Sequence, residues 1–348
     1  MSCFSRKICC KVSAAVVFLL LFQFSRAQSF ADPTLQFERS GKELGSHAVL
    51  AIIQPGKPVY IKTIGEFTAK DQAPLGSISQ WLTTALVLSY VDAGKISLDD
   101  KVSQYIPLFT KYAKGYITIR DCLTHFSGIE AEPVKMSSFE NQSKFGSLQE
   151  EAESFATKRE IKANPSTEFY FSQVGLNLAA RVLEVITRRG FEQLMAEKIT
   201  RPLMMRSTSF SSFGAVNPSG GAVGSANDLS NFLTMLLNKG MFNGKRILSE
   251  AAIAEMQKVR TTPSLIKSAP AAVAGMGYSM GAWVSSTNTE GVATALDCAG
   301  LCGSWAGIDW CRNYGFLVLT RKMENTEKSD VYKRIRKALD DQLPVNCK

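Results

Sequence analysis

The stretch Ser77-Ile78-Ser79-Gln80, within "LGSISQWL", places a hydroxyl at the start of an apolar run. A serine hydroxyl is a poor nucleophile until a neighbouring base takes its proton. If Ser77 opens a helix, the residue three positions on lies one turn later on the same face, where a lysine amine would reach the hydroxyl. Gln80 holds that place. Its amide forms hydrogen bonds but does not take up a proton near neutral pH, so the activation step has no local agent. Ser264-Leu265-Ile266-Lys267 has the serine and lysine at the right interval, but prolines 263 and 270 bracket it. They argue against the helix that would align the pair, and the spacing reads as a coincidence in a loop.

The elements that must position Ser77 follow from periodicity. "HAVLAIIQ" and "PVYIKTIGEF" are β-rich runs joined by Pro55-Gly56-Lys57-Pro58, a hairpin pattern. Strand-type residues return late, in "ATALDCAG" and "YGFLVLTRK". Between them the chain is helical: "QWLTTALVLSYVDAG", "LNLAARVLEVITRRG" and "ANDLSNFLTMLLNKG" are predicted to stop at Gly94, Gly190 and Gly240. Strands at both ends with helices between them predict an α+β fold, with one antiparallel sheet built from both ends of the chain, flanked by helices. The expected organisation is a leader over 1–27 and a single domain over 28–348, with a helical insertion at about 80–260.

Arg6, Lys7 and Lys11, an apolar run from Val12 to Phe24 and then Ser25-Arg26-Ala27 form the pattern of a secretory signal peptide, expected to be cut after Ala27. The run is shorter than the roughly 20 residues of a membrane span, so a secreted, extracellular protein without a membrane anchor is expected. Removing four basic residues and no acidic one from a chain of net charge +9 leaves +5. That is too mild to point to nucleic acid, and the basic run "YKRIRKALDDQ", with Asp330 near its N-cap, reads as a solvated helix face. Of eight cysteines, Cys122, Cys298, Cys302, Cys311 and Cys347 lie beyond the leader. In an oxidising compartment one or two disulfides are expected, with Cys302–Cys311 the leading pairing. Cys298-x-x-x-Cys302 lacks nearby histidines, so no metal and no cofactor is expected. Asn141-Gln142-Ser143 is a glycosylation acceptor.

Several long segments together resemble the serine β-lactamase and penicillin-binding-protein superfamily, especially the class C β-lactamase-like esterases and D-amino-acid peptidases. "GSISQWLTTALVLSYVDAGKISLDDKVSQYIPLF" is similar to that family's nucleophile helix, and "ITIRDCLTHFSGI" to its most recognisable segment. "FYFSQVGLNLAARVLEVITRRGFEQLMAEKITRPLMMRST" and "GGAVGSANDLSNFLTMLLNKGMFNGKRILS" continue the likeness, which runs from about His47 to Thr320. The resemblance implies a β-lactamase/DD-peptidase-like fold and three catalytic motifs. The first, Ser-x-x-Lys, keeps Ser77 and has Gln80 for the lysine. The second, Tyr-x-Asn, falls on Phe171-Ser172-Gln173, which keeps the ring and loses the phenol. The third, Lys or His, any residue, then Gly, falls on Cys298-Ala299-Gly300. These exchanges approximately keep size while removing proton carriers, which implies a loss of roughly 10⁴-fold or more in rate.

The resemblance makes His125 a structural residue at a helix end, its ring bonded to backbone groups; a dyad with Ser77 is the rival reading. Cys298 is read as a disulfide partner or a small buried residue rather than a thiol nucleophile, because the matched positions around it are neutral. Tyr170, next to the lost tyrosine, points elsewhere. The expected function is that of a secreted β-lactamase-like protein, catalytically inactive, with a structural or binding role towards an extracellular ligand or matrix component. Decayed members resemble components of the organic matrix of molluscan shells. The competing reading is an active serine hydrolase, an esterase or D-amino-acid peptidase, with Ser77 activated by a non-standard base such as Lys57 or Lys70.

Overall fold

A computed structural model describes residues 30–132, 143–210, 214–299, 303–321 and 330–347. The expected leader over 1–27, Asn141, Gly300 and Cys302 lie outside these residues. Seven antiparallel strands form the main sheet: β1 (Ala48–Gln54), β2 (Lys57–Ile64), β3 (Gly277–Tyr278), β4 (Trp283–Thr287), β5 (Ala293–Ala299), β6 (Trp305–Asp309) and β7 (Tyr314–Thr320). Their spatial order is β2-β1-β7-β6-β5-β4-β3. β1 pairs with β7 from Ala48↔Thr320 to Ile53↔Gly315, so the sheet is built from both ends of the chain.

Alternation along each strand makes the sheet the middle of three layers. Val49, Ala51, Ile53, Leu317 and Leu319 face one core, while Ala48, Leu50, Ile52, Phe316 and Val318 face another. The second core is covered by α1 (Ala31–Arg39) and the C-terminal helix, which bring Phe37, Ile335 and Leu339 onto the sheet. The first core is covered by the central helices α2 (Ile78–Asp92), α3 (Ile119–Leu123), α4 (Leu148–Lys158), α5 (Val174–Thr187), α6 (Ala226–Leu237) and α7 (Glu250–Gln257). The C-terminal helix is α8 (Asp330–Gln342).

Three details differ from the sequence reading. Strands β3, β4 and β6 join the sheet although their residues carry no visible alternation; all five residues of β6 are buried, so both faces read alike. Helix α5 stops at Thr187, with Arg188 in the left-handed region at φ 58°. Gly190 instead caps the short helix Phe191–Met195. Finally, Cys311 pairs with Cys347, not with Cys302. The tail after α8 turns back so that Asn346 N–H donates to Cys311 O at 2.7 Å, and this brings the two sulfurs together. Cys122 and Cys298 are buried free thiols, which removes the disulfide reading of Cys298. Among the described residues, no helix is long and apolar enough to cross a membrane.

Candidate active site

Ser77 sits at the N-cap of α2 with φ −62° and ψ −16°, and the turn before it is closed by Ile78 N–H to Leu75 O at 3.1 Å. Helix α2 is apolar nearly all round and runs through the core, with Trp81, Leu82, Ala85 and Leu86 fully buried, which fixes the position of its first turn. Ser77 is 2 % exposed, and its Oγ is buried with no hydrogen-bond partner among the described residues.

One turn on, Gln80 is equally buried. Its Oε1 accepts from the Tyr278 phenol at 3.1 Å and lies 3.2 Å from His125 Nε2. Its Nε2 has no hydrogen-bond partner among the described residues. His125 follows the helix that "TIRDCL" builds: Thr118 Oγ1 accepts from Asp121 N–H at 3.1 Å while the Asp121 carboxylate accepts from Thr118 N–H at 3.0 Å. After this capped turn His125 takes φ +60°, an uncommon conformation for a side chain of its size. Its Nδ1 accepts from Ser172 N–H at 3.3 Å, which assigns the ring proton to Nε2, shared between Gln80 Oε1 and the Tyr278 oxygen at 3.1 Å. Burial pushes the His125 pKa down to about 3, against the opposing Ser172 contact. The ring is therefore neutral near pH 7, and its one lone pair is already used. Ser77 is not among its partners, so the described contacts form no serine-histidine dyad.

Phe171 lies with its ring centroid 4.8 Å from that of His125 and 5.6 Å from that of Trp283. Phe169, Tyr278 and Trp283 complete a buried aromatic cluster around the imidazole. Cys298 on β5 directs its thiol at Gly281 O, 3.2 Å away, and lies 3.8 Å from Ser77 O. Burial, with Asp297 adding to it, raises its pKa well above the ordinary thiol value, and it stays protonated. Gly281 approaches α2 so closely, at φ +81°, that a Cβ would strike the Thr84 hydroxyl and Gln80 O. Gln173 caps α5, and its carbonyl accepts from Ser219 Oγ at 2.9 Å. From there a polar chain leads through Asn177, whose Oδ1 is 3.1 Å from Ser219 Oγ, to Glu151 Oε2, 3.0 Å from Asn177 Nδ2.

The structure thus brings together Ser77, Gln80, His125, Phe171 and Cys298, and adds Tyr278, which the sequence reading missed. "GMGYSMG" carries no motif, and only the fold reveals Tyr278 beside Gln80. Lys57 and Lys70 are exposed and make no described contact with the site. Ser264 bonds to Thr262, and Tyr170 donates to Glu168, both away from Ser77. Every side chain in the described hydrogen-bond network around Gln80 is uncharged at neutral pH.

An antiparallel sheet closed by both chain ends, a helical region over one face and a serine at the head of the buried helix define the β-lactamase-like serine hydrolase fold. The Beta-lactamase family model matches residues 42–340, and the chain belongs to that family. In sequence it is similar to the D-alanyl-D-alanine-carboxypeptidase/endopeptidase AmpH of Escherichia coli K12, 24% identical over 139 residues, covering 39% of this chain and 36% of AmpH. It is also similar to Beta-lactamase-like protein 2 of Dictyostelium discoideum, 25% identical over 260 residues, covering 60% of this chain and 47% of that protein. The chain thus spans less than half the length of these curated relatives. In fold it is similar to a putative β-lactamase from Bacteroides dorei DSM 17855, with TM-score 0.79, 20% identity, and coverage of 90% of this chain and 99% of the other. A family VIII carboxylesterase has TM-score 0.71 at 18% identity, covering 90% and 97%.

Proposed function

We propose that this chain is a β-lactamase-family protein that does not turn over substrate by serine acylation and acts outside the cell in a structural or binding role. The organic matrix of a biomineral is the setting that the sequence resemblance suggests. The observation that carries the reading is the Ser77 hydroxyl, buried and without a hydrogen-bond partner among the described residues, with Gln80 one turn away in a neutral network with His125 and Tyr278. Acylation needs a group to receive the serine proton, and the neighbours in this network are weak bases or already engaged. The leader pattern and the Cys311–Cys347 disulfide support export.

The test is covalent labelling. Purified protein is treated with a fluorophosphonate and with a chromogenic cephalosporin, and Ser77 is searched for an adduct by mass spectrometry. No adduct and no colour change are expected. Rapid stoichiometric labelling lost in Ser77→Ala would instead establish the second reading, an active hydrolase with a non-standard base, which the retained serine at the head of α2 favours.

A further inference from the structure

Helix α6 is buried on every side but one. Between Ala226 and Leu237 only Asn227 and Asn231 reach the surface, one turn apart, and Asn238 at the helix end continues the same stripe. From Asn227 to Asn238 the stripe runs for about 16 Å and presents carboxamides alone. A carboxamide both donates and accepts hydrogen bonds, which suits a partner rich in hydroxyls.

Three loops border the stripe, and each brings cations. At its start Asn227 N–H donates to Ala69 O at 3.0 Å, next to the exposed Lys70. At its middle Asn231 Nδ2 donates to Leu203 O at 2.9 Å, in a tight turn where Arg201, Met204 and Arg206 are exposed. At its end stands a hairpin, Met241–Phe242 paired with Lys245–Arg246, closed by Asn243 and Gly244 at φ 46° and 74°. Asn243 Nδ2 lies 3.6 Å from Met204 Sδ, and Arg246 Nη1 donates to Lys239 O at 3.1 Å, so turn, hairpin and helix end adjoin.

Charge on these segments is one-sided. Lys70, Arg201, Arg206, Lys239, Lys245 and Arg246 stand against three carboxylates. Asp71 accepts from Thr68 N–H at 2.7 Å, the buried Asp228 accepts from Ser207 N–H at 2.7 Å, and Glu250 lies 3.8 Å from Arg246. Arg246 alone of the six cations has an ion-pair partner among the described residues. No aromatic side chain of these segments is exposed, so nucleic-acid bases have nothing to stack on. Met204, 51% exposed, is their one large apolar side chain open to a bilayer.

We propose that the α6 stripe and its cationic borders bind a linear sulfated polysaccharide, its hydroxyls on the asparagines and its sulfates on the lysines and arginines. The choice of an extracellular polyanion rests on the role proposed above. The surface does not include Ser77, so polysaccharide binding and serine labelling succeed or fail separately.

The probe is chondroitin sulfate fixed to a sensor surface, with the whole protein flowed over it and with neutral dextran and single-stranded DNA as controls. Saturable binding is expected, tighter than to either control and roughly tenfold weaker when salt rises about fourfold, as counterion release requires. Arg206→Gln with Lys245→Gln, both at exposed positions, should weaken binding roughly tenfold or more. Lys111→Gln with Lys158→Gln removes equal charge on and beside α4 and should leave binding intact. Asn227→Asp puts a carboxylate on the stripe but in the first turn of α6, where the helix dipole favours it. Binding should fall roughly fivefold while the melting temperature holds or rises. Equal binding to DNA or dextran, insensitivity to salt, equal loss in the two double variants, full binding in Asn227→Asp, or no saturable binding would overturn the assignment.

Discussion

The Tyr278 phenol oxygen and the Gln80 amide oxygen lie 3.1 Å apart, joined by a hydrogen bond that the phenol donates. Burial raises the Tyr278 pKa well above the ordinary phenol value, with Cys298 adding to the effect, so this donor keeps its proton. Gln80 Oε1 is therefore an acceptor facing donors, a role that a lysine ammonium cannot fill.

Restoring the motif by Gln80→Lys should destabilise the protein near pH 7. The new ammonium would be buried beside the donors Tyr278 and His125, and we expect a cost of about 1–3 kcal/mol. Burial would depress the lysine's folded-state pKa below its ordinary value of about 10.4, so the cost is largest at low pH and shrinks as pH rises towards that value. Urea unfolding of both proteins at pH 7 and pH 9.5 checks this. A gap that widens at the higher pH would contradict it.

His125 should make stability fall in acid. Its folded-state pKa is about 3, below the usual 6.5, so the unfolded chain binds the proton more readily. Its contribution is fully present above about pH 6.5 and is lost between there and about pH 3, with a slope of at most about 1.4 kcal/mol per pH unit. Asparagine tolerates the left-handed backbone that His125 adopts. Comparing the parent with His125→Asn, the stability difference should shrink from pH 7 to pH 4, as measured by denaturant titration at each pH.

Glu151 works in the opposite sense. Burial pushes its pKa up to about 7, with the Asn177 hydrogen bond and the Lys144 charge opposing. Holding this carboxylate ionised thus costs stability, increasingly from about pH 4.5 to pH 7 and constantly above. Glu151→Gln keeps an acceptor for Asn177 and removes the charge. It should raise stability by about 1–3 kcal/mol at pH 8 and change it little at pH 4. Thermal unfolding at the two pH values would reveal a pH-independent difference if the reading is wrong.

The Cys311–Cys347 bond closes a span of 36 residues that includes α8. Cys347→Ser should cost about 2–4 kcal/mol through the greater freedom of the unfolded chain. A parallel loss on reduction of the parent, and none on reduction of the variant, is the expected control in a denaturation assay.

The fold was legible where one face of an element differs from the other or where a run is long and apolar. The β1–β2 hairpin, β5, β7 and helices α2, α5 and α6 show such signals, whereas β6 is buried on both faces and β3 has only two residues. At the site, the residues in Ser77, Gln80, Phe171 and Cys298 positions were legible because a known pattern marks them. Tyr278 was not, since it meets Gln80 across 198 positions of chain and nothing local announces it. The partner of Cys311 was also hidden, because the turn of the tail after α8 is a product of tertiary packing.

The pairing of β1 with β7 has a consequence for synthesis. Residues 48–53 have no permanent neighbour on one side until residues 315–320 have been made, so the hairpin waits, half-zipped, while most of the chain leaves the ribosome. Contacts so distant in sequence form slowly, and a waiting apolar strand is a template for stray association. Until that zipping is complete, the free edge of β1 remains open to stray pairing.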